Sequence, residues 1–163
     1  MIPTPWGEAE FRKYLDGYMY FGDAFNLDAV LSADRDGGTI TAVSDTKRRY
    51  LATPFQQGDP KTHPRHVSGA DMLMMTANLG SLHAYFFHDC SWEGGWVGFG
   101  GRIERAEFRR LASIGNPLEL RSREVKVRKR STRVVIEYEF TFSQDGAPVY
   151  ESRQTAMFVK NTL

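Results

Sequence analysis

Between Ser68 and Phe87 apolar residues take almost every position: Met72 through Met75, Ala77, Leu79, Leu82, and Ala84 through Phe87. The run is too long for one buried strand, and Ala, Leu and Met favour the helix. Apolar side chains all round predict a central helix enclosed by protein on every face, about 30 Å long. Asn78, Gly80 and His83 interrupt it as a membrane span. Earlier in the chain, Phe11, Tyr14 and Leu15 fall at i, i+3 and i+4 and predict a short amphipathic helix over 7–16. An aromatic stretch from Tyr18 to Gly22 follows it. Strands are expected over 29–33 and 39–44, joined by a turn at Asp34–Gly38 whose glycines supply positive φ. Three prolines and a glycine mark 53–64 as a loop.

After the long helix the period changes to two. Trp96–Ile103 leads into 106–111, a turn falls at Gly115–Pro117, and long strands are expected over 118–129 and 132–143. In the second of these Val134, Ile136, Tyr138, Phe140 and Phe142 share one face. Asp145-Gly146 then turns the chain into a last strand over 148–159. These short connections predict an antiparallel four-stranded meander.

The chain has 163 residues, 41% hydrophobic and 25% charged, which suits one domain over 1–163 with a core large enough to need no disulfide or metal. The single cysteine, Cys90, excludes an internal disulfide and suits a reducing, cytoplasmic setting. Met1–Trp6 lacks the basic start and apolar core of a signal peptide, and no run is long enough to span a bilayer. A net charge of +1 argues against nucleic acid as partner until it is divided along the chain. From Arg102 to Arg133 there are eleven Lys/Arg against four acids, a local charge of +7, and the remainder carries −6. Such a segment is either a solvated strand face or a docking surface for an acidic partner. No nucleic-acid recognition motif accompanies it.

Ser68 and Asp71 have the spacing of a capping box, in which the Ser hydroxyl accepts from the third helical amide and the acid reaches back to the cap amide. The same helix end presents free N–H groups and a positive dipole. His66 lies just before it, on a loop, and histidine takes and returns protons at neutral pH. His63, His66, His83, His88, Asp89 and Cys90 invite a metal reading, but His83 and His88, five apart on a helix, are expected to diverge, so no metal is assigned. Nothing near Cys90 supplies the low pKa of a nucleophile. Gly98–Gly101 lies on a strand and opens no helix, so it is a bulge or close-approach signal rather than a phosphate loop.

One long helix wrapped by a single curved antiparallel sheet is the architecture of the hot-dog fold, an α+β fold, and the local phrases agree. Phe55–Gly58, His66–Gly69, Phe108–Arg110 and Gly115–Leu118 resemble the 3-hydroxyacyl carrier-protein dehydratases. That family places a catalytic His before the helix and an acid five residues after the loop glycine, where this chain has Met74; its nearest acid is Asp71. His66–Gly80 is similar to the His-Phe-Asn-x-x-Glu segment of the FcoT-type long-chain acyl thioesterases, with Ser68 for the Asn and Asp71 for the Glu. Relatives of that group add glycine to a 2-enoyl thioester on a carrier protein.

The resemblance implies an enzyme acting on acyl-carrier-protein or coenzyme A thioesters, without a cofactor. It would add glycine to a (2E)-enoyl group to give a 3-(carboxymethylamino)acyl product, with hydrolysis following. A plain acyl thioesterase, a dehydratase-like protein and a non-catalytic acyl-binding module are the alternatives. On this reading His66, Asp71 and Gly69 are catalytic: amides near Gly69 and Ala70 polarise the carbonyl, and His66 or Asp71 moves protons. Ser68 and Ala70 join the binding site, Arg65 and Arg102 are candidates for the glycine carboxylate, and Tyr18, Tyr50 and Phe55 are candidates for an acyl tunnel. A homodimer is also implied, its site shared at the interface with the 53–65 loop near the partner.

Overall fold

The computed structural model of the protein describes residues 8–20 and 22–161. The leader expectation for Met1–Trp6 lies outside these residues, as do Gly7 and Phe21, which were placed in the first helix and the aromatic stretch. Six strands, β1 (Ala29–Asp34), β2 (Thr39–Ser44), β3 (Trp96–Phe108), β4 (Leu118–Arg130), β5 (Arg133–Gln144) and β6 (Ala147–Lys160), accompany a short helix α1 (Glu8–Asp16) and a 20-residue helix α2 (Gly69–His88). All pairings are antiparallel, and the sheet order is β1-β2-β4-β5-β6-β3.

This order corrects the expected meander. β3 pairs with β6, from Trp96 opposite Lys160 to Phe108 opposite Tyr150, and β4 lies between β2 and β5. The link over 109–117 therefore carries the chain from one edge of the sheet to its middle. Period-two patterning tells which face a residue occupies, but both candidate neighbours of β3 offer the same alternation, so the pattern alone does not choose between them.

The concave face is built by alternation. Val134, Ile136, Phe140 and Phe142 of β5 join Ile40 and Ala42 of β2, Leu118 and Leu120 of β4, and Tyr150 of β6, each at most 3% exposed. Against them α2 buries Met75, Leu79, Leu82 and Ala84 completely, and the Tyr138 hydroxyl donates to the Gly80 carbonyl at 3.0 Å. Tyr14 of α1 closes one side, with ring centroids 5.0 Å from both Tyr18 and Tyr85.

Enclosure on every face does not hold for α2. Ala70 and Ala77 are exposed, and Leu73, Met74 and Ser81 are only partly covered, so one stripe of the helix stays open. The neighbouring edge strand β3 is also bare: Phe99 and Ile103 are each 51% exposed. An apolar sequence all round a helix says that something covers it, and the described residues leave this stripe open.

Truncation in the closed part of the core leaves a cavity the sheet cannot fill. Phe142→Ala should lower the unfolding free energy in urea by about 3–5 kcal/mol. Ala77→Ser, on the open stripe, should stay within about 0.5 kcal/mol.

Candidate active site

Ser68 occupies the N-cap of α2 with extended backbone (φ −63°, ψ 143°), and its Oγ accepts from the Ala70 amide at 3.2 Å. The capping box expected of Ser68 and Asp71 does not form: the hydroxyl takes the second helical amide, and the carboxylate turns inward, 1% exposed. There Asp71 accepts from the amides of Leu51 (3.2 Å), Ala52 (3.1 Å) and Thr53 (2.7 Å), and from Thr53 Oγ1 at 2.6 Å. Thr53 Oγ1 in turn accepts from the Ser68 amide at 2.8 Å. Thr53 thus satisfies the cap amide, and Asp71 is left to collect three consecutive amides that enter a short 3-10 turn, Thr53–Phe55. A carboxylate with two acceptor oxygens suits that row of donors better than one amide behind it.

At this helix end lies an open recess of about 420 Å³, with His66, Gly69, Met72, Phe108 and Arg110 on its walls. The His66 ring faces the Pro64 carbonyl through Nδ1 at 2.9 Å. A carbonyl only accepts, so Nδ1 carries the proton and Nε2 is left as the basic nitrogen. The His66 backbone is held as well, its carbonyl accepting from Gln56 Nε2 at 2.6 Å. The Gly69 amide, first in α2, has no hydrogen-bond partner among the described residues. A side chain at Gly69 would lie 2.9 Å from the Phe108 ring, so glycine keeps this amide reachable from the recess. The Arg110 guanidinium donates to the carbonyls of Gln144 and Ala147 at the opposite wall. A basic nitrogen, a free amide at a positive helix end and a cation therefore share one recess, a set able to polarise a carbonyl and move a proton.

A second cavity, about 160 Å³, runs between α2 and the β3–β6 edge, with Leu73, Ala77, Phe99, Ile103, Phe140 and Phe158 among its walls. Tyr18 lines neither of these but borders a third, smaller cavity of about 40 Å³ with Tyr14, Tyr85 and Trp96, which shares Ser81 and Phe158 with the second. The Tyr18 hydroxyl donates to Asn78 Oδ1 at 3.0 Å, and burial pushes it up to about 12. Tyr50 is a core residue, 1% exposed, bonded to Ser44 Oγ at 2.8 Å and likewise pushed up to about 12 by burial. Phe55 is 76% exposed and touches none of these cavities. Arg65 is tied to the carbonyls of Gln56 and Pro54, and Arg102 to Glu104 on the outer strand, so neither reaches the recess. Ala70 is exposed just outside it.

Burial pushes the Cys90 thiol up to about 12. The expected divergence of His83 and His88 is overturned: both Nε2 atoms face one oxygen of Glu124, at 3.2 and 2.6 Å. Helical spacing omits that side chains lean along the axis and that a residue from the sheet can meet them halfway. Burial pushes His83 down, and hydrogen bonds from His83 and then His88 hold the Glu124 carboxyl at about 2.

No family model and no curated protein matches the sequence. Solved structures do match. A phenylacetic acid degradation-related protein from Ralstonia eutropha is 20% identical, with 78% of this chain and 82% of that one covered at a TM-score of 0.56. A fluoroacetyl-CoA-specific thioesterase, in complex with fluoroacetate and CoA, is 10% identical over 76% of this chain and 93% of its own, with a TM-score of 0.59. A Streptococcus mutans protein bound to acetyl-CoA is 15% identical over 91% and 97%, with a TM-score of 0.56. The fold is the hot-dog fold.

Sequence reasoning missed Phe108 and Arg110 as recess walls, although Phe108–Arg110 is one of the phrases that carry the family resemblance. It also missed Thr53, whose role depends on a contact 15 residues away that no local pattern signals. Because the loop and the helix end meet through one buried carboxylate, Asp71→Asn should cost about 2–3 kcal/mol of unfolding free energy in urea. The change turns one of two acceptors into a donor facing donors, so Asp71→Ala should be no more damaging.

Proposed function

We propose that the protein is an acyl-thioester enzyme working at the His66–Gly69 recess, on a chain held by coenzyme A or an acyl carrier protein, and that hydrolysis is its reaction. The observation that carries this reading is the unpartnered Gly69 amide at the N-terminus of α2, beside the basic Nε2 of His66. The thioester carbonyl oxygen accepts from Gly69 N–H, where the helix dipole favours the charge that develops on it. His66 Nε2 takes a proton from water as its oxygen attacks the carbonyl carbon. The tetrahedral intermediate then expels the thiolate, which takes the proton back. The acyl chain runs into the second cavity between α2 and β3. Asp71 is a positioning residue that holds loop 51–53 against the helix end. Solved structures of the same fold with acetyl-CoA or CoA bound support a coenzyme A thioester as substrate.

A second reading, glycine addition to a 2-enoyl thioester, is favoured by one observation: Arg110 puts a cation on the recess wall for the glycine carboxylate, a role that Arg65 and Arg102 are not placed to fill. The same Gly69 amide would stabilise the enolate, and His66 would take a proton from the glycine ammonium. Incubation with a saturated and a 2-enoyl acyl-CoA, each with and without glycine, followed by mass spectrometry, separates the two. Free acid from both substrates regardless of glycine is the expected result. His66→Ala should lower kcat by about 100-fold or more without shifting the melting temperature. A glycine adduct in place of free acid would establish the second reading, and turnover unchanged in His66→Ala would overturn both.

In this reading the single domain works as a homodimer. Among the described residues the outer edge of β3 has no strand beside it, and Phe99 and Ile103 stand next to the open stripe of α2. Antiparallel pairing of two β3 strands about a two-fold axis would cover both features. The β4–β5 hairpin lies at the His88 end of α2, where Lys129 donates to the His88 carbonyl, so the same operation would bring it to the His66 end of the partner. On that hairpin Arg128 and Arg130 are exposed with no ion pair among the described residues, whereas Arg123, Arg109 and Arg153 are paired with acids. An acidic carrier is thereby accommodated beside the recess. Arg128→Glu with Arg130→Glu should raise KM for a carrier-bound substrate at least about 10-fold while leaving a short free thioester unaffected, and sedimentation should report a dimer. Equal effects on both substrates, or a fully active monomer, would remove this part of the reading.

A further inference from the structure

We propose that His83, His88 and Glu124 form a binding site for a divalent first-row transition cation of the zinc class, at the end of α2 opposite the recess. His83 and His88 lie in the last turns of the helix, and Glu124 comes from β4. Their donor atoms, two imidazole nitrogens and a carboxylate oxygen, all lie within 4.8 Å of one another. A tetrahedral zinc ion with bonds of about 2.0–2.2 Å holds its ligands about 3.3–3.6 Å apart; the 3.2 Å from His83 to Glu124 is already close to this, His88 at 2.6 Å must draw back by about 0.7 Å, and no pair in the set is more than 4.8 Å apart. Two imidazoles with one carboxylate are a borderline donor set that suits zinc and its neighbours rather than calcium or magnesium, and they leave a coordination position for water. His88 and Glu124 retain some side-chain exposure, 13% and 21%, which supplies the entry path that the fully buried His83 lacks.

The surroundings are built to hold these groups. Nδ1 of His83 meets Ser122 Oγ at 2.9 Å, and Ser122 is itself wholly buried, so the ring is fixed with Nε2 toward Glu124. Such outer partners are typical of histidines that ligate metals. Glu124 sits beside a register shift in β4, and its side chain crosses Gly38, where a Cβ would fall 2.5 Å from Glu124 Cγ. Gly38 has φ +59° and accepts the Glu124 amide through its carbonyl at 2.9 Å, so the β1–β2 hairpin sets where the carboxylate stands. The C-terminal end of a helix also favours cations. Arg35 and Lys129 already donate to the last carbonyls of α2, at Phe86, Phe87 and His88. Fourteen residues of helix, about 21 Å, separate His83 from Gly69, so the ion would clamp α2 to β4 and take no part in the recess chemistry.

The test uses the full chain after dialysis against EDTA. Zinc chloride is titrated by calorimetry and cobalt chloride by visible absorption, and the melting temperature is measured with and without saturating zinc. One equivalent should bind with micromolar or tighter affinity, cobalt should give the intense absorption of a tetrahedral site, and the melting temperature should rise by about 5–10 °C. His88→Gln and Glu124→Gln change partly exposed side chains, and circular dichroism of each checks that it folds. Both should weaken zinc at least about 10-fold and abolish the thermal shift, while His63→Gln, an exposed histidine elsewhere, should change nothing. No saturable binding would overturn the proposal. So would binding retained in both His88→Gln and Glu124→Gln, or lost equally in His63→Gln.

Discussion

Besides Thr76, which donates to the Leu73 carbonyl of its own helix, burying α2 against the sheet places Asp71, Asn78 and His83 in the interior, and each must find partners there or destabilise the fold. Asp71 takes the amides of loop 51–53. Asn78 joins the Tyr18 hydroxyl to the Ala24 carbonyl. His83 meets Ser122 and Glu124. These three attachments fix, in turn, the loop before the helix, the N-terminal segment and the sheet beyond it. Apolar packing makes the helix buried, and the polar contacts decide its orientation and which loop lies at which end.

The recess depends on the first of these attachments. Thr53 links Asp71 to the Ser68 amide, and Gln56, just beyond the same 3-10 turn, holds the His66 carbonyl. One buried carboxylate thus organises the cap of α2, the loop and the backbone of the candidate base. Thr53 Oγ1 takes the Ser68 amide and Ser68 Oγ the Ala70 amide, so the Gly69 amide between them remains unspent beside the recess. A capping box would have used the acid locally and left the loop amides without an acceptor.

Two ends of one helix carry different chemistry for the same electrostatic reason. The N-terminal end offers unpaired N–H groups and favours developing negative charge, which suits a thioester carbonyl. The C-terminal end offers carbonyls and gathers Arg35, Lys129 and the two histidines around Glu124. The open stripe of α2 and the bare edge of β3 lie between these ends, so a second copy laid across them in antiparallel fashion would bring unlike ends together.

Local patterning was enough for much of this molecule. The span of α2, the alternation in β5 and the turns at Gly38 and Gly146 all follow from hydrophobic period and turn chemistry, which act over a few residues. The place of His66 before the helix was legible for the same reason. The partner of β3, the inward turn of Asp71, the occupation of Arg65 and Arg102 by loop and strand acceptors, and the arrival of Phe108 and Arg110 at Gly69 were not. Each depends on groups far apart in the chain, where many pairings satisfy the same pattern and only the closed sheet selects one. His83 and His88 make the point most sharply. Their spacing on a helix predicts divergence, and it took Glu124, brought in by β4 over a glycine in the opposite hairpin, to make them converge.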